Sequence, residues 1–378
     1  MNFRVIFLDH EGTPGGGQLS ARRLLPRLAT VKPRAVFVAP GPVAEDLSID
    51  DVPVSVLFPQ TGGYRAWKAP IYAMRLTKWL RHFPSDVPIV ALSTASAQVL
   101  AFIPRRGRKR FLRLSEDMAR YSGRSLKSTI YFRWIFRRFD AFISNSNWTA
   151  STIPAELAGV PVRLAYPLSG LEAASPRAHP VLASEHVRFA CFSRPVEWKG
   201  LDLAILAVDH LHQRGFDVSL TIFGGGGHRD EPHLNYLKSL ASRSTAPVHL
   251  AGHIQDVLHE MRSVDVVILP SRLPEPYGQV TAQSLASGCL TVVSDHGGSL
   301  ELVHDGSTGL TFANNSSSAL ATVLERALED VEGSRSIAAA GQRSASHLTD
   351  DVLATDFERV LLELINEAVP EVVPGDSA

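Results

Sequence analysis

Short apolar runs alternating with amphipathic stretches fix most of what this chain can fold into. FRVIFLD, RAVFVAP, SVLFP, IVALST, KRFLRLS, DAFISNS and VRLAYP occupy the first half, and VRFACFS, VSLTIFG, VHLAG, DVVILP and LTVVSD the second. Runs of this length and apolarity predict strands buried on both faces of a parallel sheet. Between most of them lie helical patterns such as SARRLLPRLA, IYAMRLTKWLRHF, LKSTIYFRWIFRRF and WTASTIPAEL. The stretch after Gly200 sets Leu201, Ile205, Val208 and Leu211 on one face and meets Gly215, a residue suited to a left-handed C-cap. Strand, helix, strand repeated twice over predicts two doubly wound α/β domains.

At 378 residues the chain is long enough for two cores. We expect a first domain over residues 1–173 and a linker over 174–186, where ASPRAHPVLASEH has neither period. A second domain over 187–350 follows. The amphipathic pattern over 351–369 predicts a helix packing back toward the first domain, and 370–378 reads as a frayed tail. With 45% hydrophobic and 20% charged residues, the composition excludes a disordered or coiled chain. No stretch reaches the roughly 18 apolar residues of a membrane span, and MNFRVIFLDHEG turns acidic before a signal-peptide core could develop. The expectation is a cytoplasmic protein beginning at Met1. Cys191 and Cys289 lie in apolar stretches without metal-type spacing and read as buried thiols of a reducing compartment.

The formal net charge of zero conceals an asymmetry. Residues 1–180 hold 25 Lys and Arg against 12 Asp and Glu, a net of +13, and the remainder carries −13. Much of the positive charge falls between Arg105 and Arg138: RRGRKRFLR, then Arg120, Arg124, Lys127, Arg133, Arg137 and Arg138. A solvated basic face is one reading. The other is attraction to an anionic surface, a phospholipid leaflet or a phosphorylated acceptor, with Phe132, Trp134 and Phe136 at the interface. No nucleic-acid recognition motif accompanies the charge, so no nucleic acid is expected.

Ligands of open α/β sheets bind beyond the carboxyl ends of the strands. In the second domain VRFACFS runs through Arg194 and Lys199 into Gly200 and a helix, two cations flanking a helix N-terminus where a diphosphate is favoured. Either residue could equally serve a structural salt bridge. The run Gly224 to Gly227 allows close backbone approach or a tight turn. After DVVILP, Glu275 precedes a helix that begins near Gly278, Gln279 and Val280, whose N–H groups offer an anion or oxygen site, and Gln283 lies further along it. Helix capping is the alternative role for Glu275.

RPVEWKG, GGGG, VDVVILPSRLPEPYGQVTAQSLASG and SDHGGSLELVHDGSTGL, in that order, resemble the retaining glycosyltransferases of family 4, whose fold is GT-B. The likeness covers most of residues 187–310; the first domain matches loosely, through PGGGQ and SNSNWTAS. It implies two Rossmann-like α/β domains facing each other across a cleft. By that resemblance Gly15, Gly16 and Gly17 approach the donor phosphates, and Arg194 and Lys199 hold the diphosphate. Glu275, the first Glu of the E-x7-E motif, contacts the donor sugar, and backbone near Ile254 meets the nucleobase.

Two departures stand out. The second Glu of the motif is Gln283, which can still accept a ribose hydroxyl but without a charge-assisted bond. Where many relatives carry a His, LRLSEDMARY places Glu116 and Asp117, either to orient a sugar hydroxyl or take a proton, or merely to cap a loop.

The expected activity is retaining transfer of a hexose from a nucleoside diphosphate sugar to a glycan, lipid or small-molecule acceptor. Arg194, Lys199 and the helix N-termini stabilise the leaving diphosphate, and no metal or resident cofactor is expected. A peripheral location on the inner face of the cell membrane follows from the basic segment. A nucleotide-sugar epimerase, or a catalytically weak partner that binds sugar nucleotides, is the rival reading. VIFLDHEGTPGGGQ lacks a proper G-x-G-x-x-G, which disfavours an NAD oxidoreductase.

Overall fold

The computed structural model describes residues 3–121, 126–172, 177, 180–225 and 231–367. Contacts divide the chain into two compact units, Met1–Leu168 with Asp351–Ala378, and Ser169–Asp350. Part of the expected linker, Gly226 and Gly227 of the glycine run, Arg124 and the tail lie outside the described residues, as does the Lys127 side chain.

The first unit holds seven parallel strands: β1 Phe3–Glu11, β2 Val31–Ala39, β3 Val54–Val56, β4 Ile89–Ala91, β5 Arg110–Leu114, β6 Ala141–Ser144 and β7 Val162–Leu164. Their order is β3-β2-β1-β4-β5-β6-β7. The chain builds outward from β1 on one side, returns to β4 on the other, and so leaves a crevice between the carboxyl ends of β1 and β4. Ile6, Leu8, Val36, Ile89, Leu112 and Phe142 supply the sheet's side of one core. Helix Ala69–Leu80 covers it with Ala69, Tyr72, Ala73, Leu76 and Leu80, a spacing that repeats on one helical face. Helix Asp350–Asn366 is tied to β2, where the Glu358 carboxylate accepts from the N–H groups of Thr30 (2.8 Å) and Val31 (2.7 Å).

The second unit holds six parallel strands: β8 Val187–Phe192, β9 Val218–Phe223, β10 Val248–Gly252, β11 Val266–Leu269, β12 Leu290–Ser294 and β13 Leu310–Phe312. Their order, β10-β9-β8-β11-β12-β13, again reverses beside the first strand of the unit, here between β8 and β11. Leu201, Ala204, Ile205, Val208 and Leu211 of helix Leu201–Gln213 are buried against the sheet, as their spacing predicts, and Gly215 ends the turn at φ +94°.

Several expectations are corrected. The three residues LTF pair with β12 as β13, too short a run to read as a strand. WTASTIPAEL breaks at Pro154, which cannot continue a helix, into helix Asn147–Ser151 and a 3-10 turn Ala155–Leu157. Val181 and Leu182, inside the expected linker, belong to the second core, where the Leu182 N–H donates to Asp265 (3.1 Å) and Arg335 donates to both carbonyls. The basic segment is less of a surface than its charge suggests. Arg110 is buried and donates through its two terminal nitrogens to the carbonyls of Leu100, Ile103 and Pro104, and Arg113 is buried beside Ser20. Lys109 caps carbonyls at the end of helix Asp350–Asn366, and Phe132, Trp134 and Phe136 pack on the core. Both cysteines are free and buried.

Candidate functional site

The crevice between β8 and β11 gathers the residues that the sequence singles out in the second unit. The β8 strand ends at Phe192, and the loop continues through Arg194 to a 3-10 turn Glu197–Lys199 before helix Leu201–Gln213. The loop after β11 carries Ser271, Arg272 and Glu275 to helix Gln279–Ala286. The two loops meet backbone to backbone at Gly200, which sits at φ +64°; a Cβ there would lie 2.0 Å from the Pro270 carbonyl oxygen. This closeness puts Lys199 and Glu275 in contact.

The Lys199 Nζ pairs with the Glu275 carboxylate, and Ser271 Oγ donates to the same oxygen, Oε1, at 2.6 Å. Both side chains are mostly withdrawn from solvent, at 18% and 16% exposure. Lys199 Nζ also lies over the Trp198 ring, 4.3 Å from its centroid. Glu275 is held from behind, since its carbonyl accepts from the Gly298 N–H at 2.7 Å, and a Cβ on Gly298 would come within 2.2 Å of the Pro276 carbonyl. Arg194, by contrast, is exposed, and its guanidinium pairs with no described residue.

Arg272 and Asp202 form the clamp that sequence reasoning misses. The guanidinium reaches both carboxylate oxygens, at 2.7 and 2.6 Å, and also donates to the Glu197 carbonyl (3.0 Å) and Asn315 Oδ1 (2.7 Å). The Arg272 N–H donates to the Trp198 carbonyl at 2.7 Å. Its bond to Asp202 holds the guanidinium above its ordinary pKa. The β11 loop is thereby fastened to both flanks of Lys199. The signal was an Asp two residues into the helix after Gly200 and an Arg just past the VDVVILP run.

The remaining donor-side expectations divide. Ile254 and Val280 are partly buried against the cluster of Phe192, Phe223, Met261 and Cys289. Gly278 precedes helix Gln279–Ala286 in a left-handed conformation, with Gln279 and Val280 in the first turn as expected. The Gly224 N–H is spent on the Gly252 carbonyl at 2.7 Å. Gln283 turns to its own unit: Nε2 donates to the Ser169 carbonyl at 2.7 Å, while Asp350 Oδ1 accepts from the N–H groups of Ser169, Gly170 and Leu171. Gln283 therefore helps anchor the segment that opens the second unit.

The first unit carries its own cluster at the carboxyl ends of β1, β4 and β5. His10, at the end of β1, places Nδ1 2.7 Å from Asp9 Oδ1 and 2.9 Å from Ser93 Oγ, and its ring meets Tyr64 edge-on at 5.4 Å. Asp9 is 2% exposed and also accepts from the His10 N–H and from Ser93. Burial lowers the His10 pKa, but the bond to Asp9 and the charges of Asp9, Glu11 and Glu116 outweigh it, and the imidazole titrates above its ordinary value. The arrangement fixes Nδ1 on a carboxylate and sets Nε2, 3.7 Å from Glu11 Oε1, as the other proton-handling atom.

Glu116, one of the two acids expected here, accepts from Thr94 Oγ1 and pairs with Arg120 at 3.1 Å, in reach of the same cluster. Asp117 instead caps the next turn through the Ala119 N–H at 2.9 Å. Gly15 is the N-cap of helix Gly16–Leu24, so Gly16 and Gly17 form its first turn rather than a loop before it. A Cβ on Gly17 would meet only Ser115 Oγ, at 3.9 Å, so packing within the chain does not demand glycine there. The signal for His10 was present as a strand ending in DHE immediately before a glycine-rich stretch.

The model of the glycosyl transferases group 1 family matches residues 186–330. A glycogen synthase of Mycobacterium tuberculosis is 31% identical over 167 residues, 43% of this chain and 39% of the synthase. The lipopolysaccharide core mannosyltransferase LpcC of Rhizobium leguminosarum is 26% identical over 54% of this chain and 58% of its own length. The chain thus spans less than two thirds of the length of these two relatives. Among solved structures, Anabaena HepE in complex with UDP and glucose superposes with a TM-score of 0.78 at 22% identity, covering 96% of this chain and 100% of HepE. A sucrose-phosphate synthase of Thermosynechococcus elongatus reaches 0.75 at 16% identity over 96% of this chain and 99% of its own. Residues 186–330 thus match the glycosyl transferases group 1 family, within a chain whose two Rossmann-like units have the GT-B fold.

Proposed function

We propose that this protein is a retaining glycosyltransferase that moves a hexose from a nucleoside diphosphate sugar to a hydroxyl of a glycan, lipid or small-molecule acceptor. The observation that carries the reading is the Lys199–Glu275 pair, set at the switch point of the second sheet and fastened there by Arg272 and Asp202. Breaking a sugar–phosphate bond leaves negative charge on the diphosphate and positive charge on the anomeric carbon. Lys199, exposed Arg194 and the N-terminus of helix Leu201–Gln213 supply fixed positive charge for the first. Glu275 offers a carboxylate to the sugar. These groups carry out the charge stabilisation without a metal or a resident cofactor. On the acceptor side His10, oriented by Asp9, and Glu116 bind and align the incoming hydroxyl, and the departing phosphate takes its proton.

HepE binds UDP and glucose, which makes UDP sugars the first ligands to test here. A thermal-shift screen against UDP, GDP, TDP and ADP and their sugars reads binding by mass action. A selective shift, lost in Arg194→Ala, is expected; no shift with any nucleotide would overturn the donor site. One observation favours a second reading, a GT-B protein that binds sugar nucleotides without passing the sugar on, by epimerisation or as a weak partner. The Gln283 amide is engaged by Ser169 rather than left for a ribose. Tight nucleotide binding without turnover on any acceptor would favour it.

A further inference from the structure

Helix Ala69–Leu80 is apolar on two faces. One face fills the core of the first unit. The outward side presents Trp67, 71% exposed in the 3-10 turn that leads into the helix, then Ile71 (46%) and Met74 (67%). Steps of four and three residues put them in one stripe on the solvent side. A helix already docked in a core ordinarily turns polar residues outward, and three large apolar side chains side by side mark an interaction surface.

What flanks the stripe identifies its partner. Arg65, Arg75, Lys78 and Arg81 are exposed around it, and residues 52–85 hold five Lys or Arg and no Asp or Glu. Beside the stripe an open groove of about 650 Å³ runs between this helix and the edge strand β3, lined by Phe58, Ile71, Met74, Arg75, Lys78 and Trp79. Arg75 lies over the Phe58 ring, 5.0 Å from its centroid, so the groove's cation is seated on its apolar wall. At the far end of the helix, Arg81 lines a smaller cavity whose other arginines are partly spent within the unit, Arg105 on Asp140 and Arg108 on the Val87 and Phe83 carbonyls. A second copy of this face would bring like charge against like charge.

We propose that this face docks on the surface of an anionic phospholipid bilayer, Trp67, Ile71 and Met74 entering the headgroup boundary while Arg65, Arg75, Lys78 and Arg81 pair with lipid phosphates. The contact is peripheral, since no helix among the described residues is long and apolar enough to cross a membrane. It shifts the membrane contact from the Arg105 to Arg138 segment, whose aromatic side chains are packed inside, to a face whose aromatic side chain is outside. It stands on the first unit alone and is independent of the transfer chemistry.

The test is co-sedimentation of the full chain with vesicles of phosphatidylcholine, with and without phosphatidylglycerol. The wild type is expected to bind only the mixed vesicles and to be released by high salt. Each basic side chain at a lipid surface is worth about fivefold in binding, so Arg75→Gln with Lys78→Gln should lose about 25-fold. Ile71→Glu with Met74→Glu should abolish binding while circular dichroism and the melting midpoint stay as in the wild type, because both positions are exposed. Arg137→Glu, on the other basic segment, should bind as the wild type does. Equal recovery on neutral and mixed vesicles, or undiminished binding by the charge and Glu variants, would overturn the proposal. So would a dimer that only the Ile71 and Met74 variants dissolve, or loss of binding in Arg137→Glu.

Discussion

Arg272 holds Asp202 through two parallel hydrogen bonds, at 2.7 and 2.6 Å, and thereby joins the loop after β11 to the first turn of the helix after β8. The guanidinium is spent on Asp202, the Glu197 carbonyl and Asn315, so the pair acts on the positions of Lys199 and Glu275, which lie on the two joined segments. Asp202→Asn keeps the shape but removes the charge opposite Arg272, which is only 25% exposed. Hydrogen bonds to charged groups contribute about 1.5–3 kcal/mol, so the variant should lose stability of that order in urea denaturation. It should also weaken nucleotide binding with every contact residue still in place. Unchanged stability together with unchanged binding would show that the clamp is idle.

Lys199 differs from Arg272 in what its removal should reveal. Its carboxylate partner keeps the Ser271 hydroxyl at 2.6 Å, and the turn around it is held by backbone bonds, so Lys199→Ala should fold nearly as the wild type does. Loss of a preorganised charge aimed at the developing anion costs roughly 100- to 1,000-fold in turnover. Steady-state kinetics beside a melting curve checks both halves. A variant within a few-fold of wild-type turnover would remove Lys199 from the chemistry.

How much of this was legible in the sequence follows from how local each feature is. Strands such as β8 and β11 and the helix after Gly200 declare themselves by period, and the switch point follows from their order. The proximity of Arg194, Lys199 and Glu275 to one crevice followed from strand ends alone. The Arg272–Asp202 clamp spans 70 positions and joins two ordinary surface residue types, which no period marks. The role of His10 is not legible locally, because its partner Ser93 is 83 positions away. Arg110 and Arg113 looked like surface charge because buried arginine is rare, and only the fold shows the carbonyls and the serine that receive them. The aromatic side chains of Phe132 and Phe136 read as interfacial by their basic neighbours, yet the sheet beneath them claimed both.

Gln283 yields a prediction that runs against intuition from the motif. Restoring the acid with Gln283→Glu adds a stronger hydroxyl acceptor, but an ionised carboxylate cannot donate to the Ser169 carbonyl that now receives Nε2 at 2.7 Å. Two acceptors would face each other in a half-buried place, and leaving such a carbonyl unpaired costs about 1–3 kcal/mol. The variant should therefore melt below the wild type in the absence of nucleotide. Equal or higher stability would mean that the bond to Ser169 contributes nothing, and that Gln283 is available to the ligand.

The His10 cluster makes stability depend on pH in a direction that can be worked out. The folded protein raises the imidazole above its ordinary 6.5, so protonation favours the folded state. That contribution is fully present below pH 6.5 and is lost as pH rises through the elevated folded value. Its source is the set of carboxylates around the ring: Asp9 through a hydrogen bond, Glu11 and Glu116 through charge. Denaturant titrations of the wild type and His10→Gln at a series of pH values should show the wild type's advantage largest just below pH 6.5 and shrinking toward alkaline pH. An advantage that instead grew with pH would mean that the ring is held neutral by burial, and that Asp9 serves only to fix its orientation.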